Sequence, residues 1–170
     1  MTYTSSILLR SALFIFACVL HTAAHAEAKV GDRFGDWIFE CRAVTAGKNV
    51  CALTQTIVTK KDSRRILSLS MGNNEEKKEA ELVAVLQLGI YLPSGVTGSV
   101  GQEKSFPLIV QRCIQQGCIA TAKVDSALLK SLQSGEKLAI TFSVQPSAKP
   151  IVIEASLKGL TEGMKAINLK

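Results

Sequence analysis

Alternating apolar and polar residues run through most of this chain, and this pattern limits its fold more than any other feature. Trp37, Phe39 and Cys41 share one face of an extended segment, while Ile38 and Glu40 share the other. A period of two residues is typical of a β-strand with one buried face. The alternation predicts about eight strands, at residues 37–42, 51–57, 67–71, 81–92, 106–112, 118–124, 138–144 and 151–157.

The segment 81–92 is nearly all apolar, which is expected of a central strand covered on both faces. Short links that contain glycine, asparagine, lysine or serine separate the predicted strands. Repeated short strands between such turns predict a mainly β fold, arranged as a sandwich or a barrel.

One helix is expected to interrupt the strands, because leucines recur at helical spacing after residue 125. The apolar stripe is formed by Leu128, Leu129 and Leu132. Asp125 or Ser126 can cap the first turn, and Gly135 is expected to end the helix with a positive φ. A second short helix is predicted at residues 160–167.

The first 26 residues have the three parts of a secretory signal peptide. Arg10 provides a positive charge, residues 11–20 form an apolar stretch too short to span a bilayer, and Ala24-His25-Ala26 fits the small-x-small cleavage rule. We expect cleavage after Ala26, which gives a signal peptide at 1–26 and a single domain at 27–170 without a transmembrane segment. The alternatives are an uncleaved anchor and a lipoprotein lipidated on Cys18.

Four cysteines remain after the expected cleavage, namely Cys41, Cys51, Cys113 and Cys118. An even number in an exported domain is typical of two disulfides, and four cysteines allow three pairings. The pairs Cys41–Cys51 and Cys113–Cys118 are favoured because each connects neighbouring strands through a short loop. An immunoglobulin-type bridge from Cys41 to Cys113 is an alternative. A redox role and a zinc site are both disfavoured, because the spacing is not Cys-x-x-Cys and exported thiols are oxidised.

Both histidines, His21 and His25, lie in the expected signal peptide. Their loss excludes a Ser-His-Asp triad, a Cys-His pair and histidine-containing metal sites from the remaining domain. The acidic pair Glu75-Glu76 lies in a run of charged residues and is interpreted as a solvated turn. We therefore expect no catalytic site, no metal and no cofactor. A hydrolase that uses an unmarked serine and lysine is the alternative.

A group of cations surrounds one predicted turn in a chain with a net charge of +6. The cations are Lys60, Lys61, Arg64 and Arg65. Such a patch can attract an anionic glycan, lipid headgroups or an acidic protein surface. The alternative is a hairpin kept soluble by charge, since charged residues also protect strand edges. Residues 94–104 are expected as an exposed loop that adds to the surface. Nucleic acid is not an expected partner, because aromatic residues are few.

Short motifs also occur in a fixed order along the domain. They are Gly35-Asp36-Trp37 with Cys41, Cys51-Ala52-Leu53-Thr54-Gln55, Tyr91-Leu92-Pro93-Ser94-Gly95-Val96, Cys113 with Cys118-Ile119-Ala120, Asp125 with Leu128-Leu129, and Ser156-Leu157-Lys158-Gly159-Leu160. Together these motifs resemble the invasion-associated locus B family of exported bacterial proteins. The chain departs from the family at Leu160, where phenylalanine is usual, and at Gly98 and Gly101, which are not typical of a regular strand.

The resemblance implies an immunoglobulin-like antiparallel β-sandwich with one or two short helices, located in the periplasm, at the cell surface or outside the cell. It also implies an association with host-cell invasion in pathogens, without enzyme activity and without an established set of functional residues. We expect a non-catalytic binding module linked to host interaction and virulence. Its partner would be an unknown protein or an anionic glycan or envelope surface. The alternative is a periplasmic structural or stress-related accessory protein without a host role.

Overall fold

The computed structural model describes residues 28–45, 48–74, 76–103 and 105–169, so the expected signal peptide at 1–26 lies outside the described residues. The elements are β1 (Arg33–Phe34), β2 (Trp37–Thr45), β3 (Lys48–Val58), β4 (Arg65–Asn74), β5 (Glu79–Leu86), a 3₁₀ turn (Leu92–Ser94), β6 (Val96–Val100), β7 (Phe106–Ile114), β8 (Gly117–Lys123), α1 (Ser126–Ser134), β9 (Lys137–Phe142), β10 (Ile151–Ser156) and α2 (Leu160–Ala166). The prediction of a mainly β, antiparallel sandwich with short helices is confirmed.

The described strands follow the order β1-β2-β3-β4-β5-β8-β7-β6-β9-β10, and every neighbouring pair is antiparallel. β7 takes part in two sheets. Its first residues, Phe106 to Leu108, pair with β6, whereas the residues from Ile109 to Ile114 pair with β8. β7 therefore connects a larger sheet, which contains β1 to β5 and β8, to a smaller sheet of β6, β9 and β10.

The core lies on the inner face of the strands, as the alternation predicts. Leu67, Leu69 and Met71 of β4 are fully buried, and so are Leu82 and Ala84 of the neighbouring β5. Removal of this apolar surface from water is the dominant favourable contribution to folding.

The expected strand at 81–92 is wrong in two respects. β5 ends at Leu86, and the chain then turns through the 3₁₀ segment that contains Pro93. Buried and half-buried residues also alternate along β5, so only one of its faces lies in the core. Val83 and Val85 lie on the outer face. An apolar run has the same pattern whether one face or both are covered, which explains the error.

β6 is missing from the predicted strands because glycine weakens a strand. Gly98 stands opposite Phe106 of β7, and a Cβ atom at position 98 would lie 2.4 Å from Cζ of that ring. The absent side chain makes room for the ring, as glycine often does in sheets. The expectation of an exposed loop at 94–104 is also wrong, because Val96, Gly98 and Val100 are buried in β6.

Both predicted helices are present. The carboxylate of Asp125 caps α1 by accepting a hydrogen bond from the amide of Leu128 at 2.8 Å. The expected positive φ at Gly135 is wrong, since its φ is −81°. Glycine is needed there for space instead, because a Cβ atom would lie 2.2 Å from Cγ1 of Val100. α2, predicted at 160–167, occupies Leu160–Ala166.

The two ends of the strand order meet where the turn after β1 contacts the turn after β10. The amide of Asp36 donates a hydrogen bond to the carbonyl oxygen of Lys158 at 3.1 Å. Gly35 and Gly159 both have a positive φ, and a Cβ atom on Gly159 would lie 2.1 Å from the carbonyl oxygen of Phe34. Two glycines are therefore required for these backbones to approach so closely.

Candidate functional site

The predicted cations lie together on the hairpin between β3 and β4. We call this surface the basic turn, and it consists of Lys60, Lys61, Arg64 and Arg65, all of which are exposed. The hairpin is closed by a hydrogen bond from the amide of Thr59 to the carbonyl oxygen of Arg64 at 2.8 Å. The sequence therefore predicted both the position of this turn and the grouping of its charges.

Asp62 organises the basic turn from within. Its carboxylate accepts hydrogen bonds from the Thr59 hydroxyl and from the amide of Arg64, and it forms an ion pair with Nε of Arg64 at 3.9 Å. The bond from Thr59, followed by that from the Arg64 amide, lowers the pKa of Asp62 below its ordinary value of 3.8. In the described part of the chain, no carboxylate lies within ion-pair distance of Lys60 or Lys61.

Arg65 extends from the basic turn toward a second hairpin. Its guanidinium Nη2 donates a hydrogen bond to the backbone carbonyl oxygen of Gln116, which lies in the turn between β7 and β8. Arg65 thus connects two turns at one end of the larger sheet, while Lys60 and Lys61 occupy the tip.

The four cysteines of the domain form the two disulfides that the sequence favours. Cys41–Cys51 joins β2 to β3 with an S–S distance of 2.03 Å, and Cys113–Cys118 joins β7 to β8 at 2.02 Å. In both pairs the two cysteines stand directly opposite each other in the strand register. Because all four sulfurs are bonded, none of them is present as a thiolate nucleophile or metal ligand.

A groove that was not predicted from the sequence lies beside the outer edge of β7. We call it the edge groove; it has a volume of about 580 Å³ and is lined by Leu92, residues 94–97 and residues 107–113. Leu92 and Ile109 are 52% and 60% exposed, so apolar surface in the groove faces solvent. The sequence signal for this site is Ile109, an isoleucine at an outward-facing position of a predicted strand.

Some of the remaining ionisable groups in the described ranges form surface pairs. Nζ of Lys123 lies 2.7 Å from a carboxylate oxygen of Glu79, and this hydrogen bond raises the pKa of Lys123 above 10.5. No group of three or more His, Cys, Asp or Glu residues among the described positions is arranged to hold a metal ion. Of the acidic pair considered above, Glu76 is exposed and Glu75 lies outside the described residues.

The helices in the described ranges lack the length and apolar character needed to cross a membrane.

Comparison with known proteins finds one family and two informative relatives. The family described as "Invasion associated locus B (IalB) protein" matches residues 37–168. A curated relative, "Invasion protein B" from Bartonella bacilliformis, is 22% identical over 149 residues, which is 86% of this chain and 78% of the relative. The crystal structure of invasion associated protein b from Bartonella henselae aligns with a TM-score of 0.70 at 20% identity, covering 81% of this chain and 93% of that chain. This last likeness is one of fold.

Proposed function

Because this chain belongs to the invasion associated locus B family, we propose that it is an exported, non-catalytic binding protein with a role in host-cell interaction. The observation that carries the proposal is the family match over residues 37–168, which includes nearly every element of the fold. The names of the two Bartonella relatives, both invasion proteins, support the host-directed part.

The disulfides support the exported part of the proposal. Paired cysteines persist in the periplasm and outside the cell, whereas cytosolic thiols are kept reduced. We therefore propose the periplasm, the cell surface or the external medium as the site of action. The same pairing supports a non-catalytic role, since it removes Cys41, Cys51, Cys113 and Cys118 as nucleophiles.

The basic turn is the proposed contact surface for an anionic partner. Lys60 and Lys61 stand at the tip of an ordered hairpin, so their charges are presented to solvent without an ordering cost to the backbone. Clustered charges of one sign attract an oppositely charged surface and accelerate its encounter with the protein. A sulfated glycan on a host cell, or an anionic envelope surface, has the charge that this hairpin would recognise.

The test compares binding of the naturally processed protein with that of a charge-reversed variant, Lys60→Glu/Lys61→Glu/Arg64→Glu. Arg65 is left unchanged because its bond to Gln116 ties two turns together. Binding to heparin, as a sulfated glycan probe, and to cultured host cells is measured at low ionic strength, where charges interact over about 30 Å. We expect the variant to bind at least about tenfold more weakly.

The matched control reverses three exposed lysines elsewhere, Lys130→Glu/Lys149→Glu/Lys158→Glu, and changes the net charge by the same amount. A specific role for the basic turn requires that this control keep most of the binding. Equal losses in the two variants would indicate a net-charge effect and would reject the basic turn as the contact.

The host-directed part of the proposal has its own test. If wild-type protein binds neither host cells nor heparin, the host-interaction role is rejected. Capture of one stable endogenous partner from a bacterial envelope extract would then identify a periplasmic accessory protein instead.

A further inference from the structure

The later part of β7 has a free outer edge. β7 contains nine residues, of which Phe106, Pro107 and Leu108 pair with β6. The later residues, from Ile109 to Ile114, pair with β8 on one side, and no described strand pairs with them on the other. The chain causes this gap, because β6 begins only at Val96 and the preceding residues, Leu92–Ser94, form a 3₁₀ turn rather than a continuation of the strand.

The register of the disulfide shows which backbone groups point into the gap. Antiparallel neighbours alternate between hydrogen-bonded pairs, with Cα atoms about 5.5 Å apart, and non-hydrogen-bonded pairs, about 4.5 Å apart. Cys113 and Cys118 have Cα atoms only 3.9 Å apart, so they form a non-hydrogen-bonded pair. The amide and carbonyl of Cys113 therefore point away from β8, toward the edge groove.

A second outward-pointing amide and carbonyl belong to Val110. The ladder has a bulge between Val110 and Arg112, and Arg112 then opposes Ile119 next to the disulfide pair. Because the pairs alternate, Arg112 with Ile119 is a hydrogen-bonded pair and Val110 with Ala120 is not. Val110 and Cys113 thus offer donors and acceptors on the same free edge.

The edge groove also provides contacts for side chains. Leu92 on one wall and Ile109 on the other are more than half exposed. Arg112 contributes a positive charge, and within the described ranges no carboxylate lies within ion-pair distance of it. A free strand edge, apolar walls and an unmatched cation together describe a site for an extended, acidic peptide.

We propose that the edge groove binds an extended segment of a partner protein, which adds to β7 as a further strand and places an acidic side chain beside Arg112. Backbone hydrogen bonds to Val110 and Cys113 provide affinity, as in other cases of strand addition. The bulge and the charge of Arg112 exclude most strands from this edge and thereby provide selectivity. This inference rests on the proposed binding role but uses a surface other than the basic turn.

The experiment begins with a random octapeptide library displayed on phage and selected against the intact, disulfide-bonded protein. We expect selected peptides that alternate apolar or β-branched residues with Asp or Glu. A synthetic copy with methylated backbone nitrogens at alternate positions should bind at least about tenfold more weakly, because it loses its donors but keeps its side chains.

Two pairs of variants locate the peptide on the protein. Ile109→Lys alters the edge groove, and its control, Val152→Lys, alters a similarly exposed residue on β10, which β6 and β9 separate from β7 in the strand order. Arg112→Glu is compared with Arg33→Glu, an exposed arginine on β1. We expect the Ile109 and Arg112 variants to weaken binding at least about tenfold and the two controls to change it less than about twofold.

Three results would overturn the inference. They are failure to enrich any peptide, equal binding to Ile109→Lys and Val152→Lys, and full binding by the methylated peptide. Vesicles that contain phosphatidylglycerol are the competing probe: Ile109-dependent binding to them without peptide binding would assign the surface to lipid. The peptide assay involves neither heparin nor host cells. Its failure is therefore distinct from a loss of heparin or cell binding through the basic turn.

Discussion

The indole nitrogen of Trp37 donates a hydrogen bond at 3.0 Å to the backbone carbonyl oxygen of Ser156, the last residue of β10. The two residues are 119 positions apart in the chain and lie near opposite ends of the strand order. Trp37 is fully buried, so its single polar group needs a partner of this kind. The bond therefore ties the first strands to the last across the core.

Gln55 strengthens the same junction, and its loss should destabilise the protein. Its Nε2 donates to the carbonyl oxygens of Ser156 at 3.0 Å and Asp36 at 3.3 Å, while its Oε1 accepts from the amide of Ser156 at 3.0 Å. Gln55→Leu keeps the side-chain size but removes the bonds that Gln55 makes to the Asp36 carbonyl oxygen and the Ser156 amide, while the Ser156 carbonyl oxygen keeps its bond from Trp37. We expect the free energy of unfolding to fall by about 1–3 kcal/mol, measured by urea denaturation with the disulfides intact.

The control for this measurement is Gln133→Leu, at an exposed position of α1. It should change the free energy of unfolding by less than about 0.5 kcal/mol. Trp37 is the only tryptophan in the chain, so its fluorescence reports on this junction in both variants. If Gln55→Leu proves as stable as Gln133→Leu, the bonding of Gln55 has no net stabilising role.

Gly159 should tolerate alanine far less well than another glycine of similar conformation. It has a φ of +86°, and a Cβ atom would lie 2.1 Å from the carbonyl oxygen of Phe34, which belongs to the backbone and cannot rotate away. Gly101 has a φ of +56° but open space around it. We expect Gly101→Ala to cost about 1–2 kcal/mol for conformation alone and Gly159→Ala more than about 4 kcal/mol.

Thermal unfolding of the two alanine variants checks this difference. A similar loss in both would show that conformation at positive φ, rather than the close approach of the two turns, explains the glycine. If Gly159→Ala does not accumulate, its refolding yield from the denatured chain supplies a second comparison with Gly101→Ala.

The strand pattern was predictable from the sequence because burial of one face imposes a period of two. That rule identified β4, where Leu67, Leu69 and Met71 are fully buried. It failed at β6, because Gly98 has no side chain to signal a strand and its place is filled by Phe106. Local sequence cannot reveal a contact that depends on a residue of another strand.

The two candidate sites also differ in how far the local sequence reveals them. The basic turn was predictable because Lys60 and Lys61 are close in sequence to the other cations that they join. The edge groove depends on where β6 stops pairing with β7, which is a property of the strand register. Only Ile109, an apolar residue facing outward, was visible in the sequence as a sign of it.

The two disulfides should contribute differently to stability because they close loops of different length. Cys41 and Cys51 are 10 residues apart, whereas Cys113 and Cys118 are 5 apart. On the chain-entropy model, these loops correspond to about 2.7 and about 2.1 kcal/mol. We expect Cys41→Ala/Cys51→Ala to lose more stability in urea than Cys113→Ala/Cys118→Ala does.

A measurement on the reduced proteins is the control for both double variants. The free energy of unfolding of each double variant is compared with that of the wild type twice, first with the disulfides formed and then with all disulfides reduced. The two comparisons separate loss of the cross-link from loss of side-chain packing. Cys118 is buried whereas Cys113 is exposed, and packing is therefore the larger concern in that pair. The loss measured for the reduced proteins is subtracted from the loss measured for the oxidised proteins. If the remaining loss is larger for Cys113→Ala/Cys118→Ala than for Cys41→Ala/Cys51→Ala, the loop-length argument is contradicted.

Removal of the Thr59 hydroxyl should give the basic turn a more positive net charge at acidic pH than it has in the wild type. Hydrogen bonding from Thr59 is the largest cause of the lowered pKa of Asp62, followed by the Arg64 amide. A lowered folded-state pKa stabilises the turn above pH 3.8, and this contribution is lost as the pH falls through the folded value. Thr59→Val should therefore raise the pKa of Asp62 toward 3.8, as followed by NMR of the side-chain carboxyl carbon.

Ser63→Ala is the control, because the Ser63 side chain lies in the same turn but is not among the causes of the lowered pKa. The consequence for binding follows from the sign of the shift. Near pH 3.5, Asp62 is protonated more often in Thr59→Val than in the wild type, so the turn carries more net positive charge. If the basic turn contacts an anionic surface, Thr59→Val should be retained more strongly on heparin at that pH and equally at neutral pH. An unchanged Asp62 titration in Thr59→Val would show that the hydroxyl does not control this carboxylate.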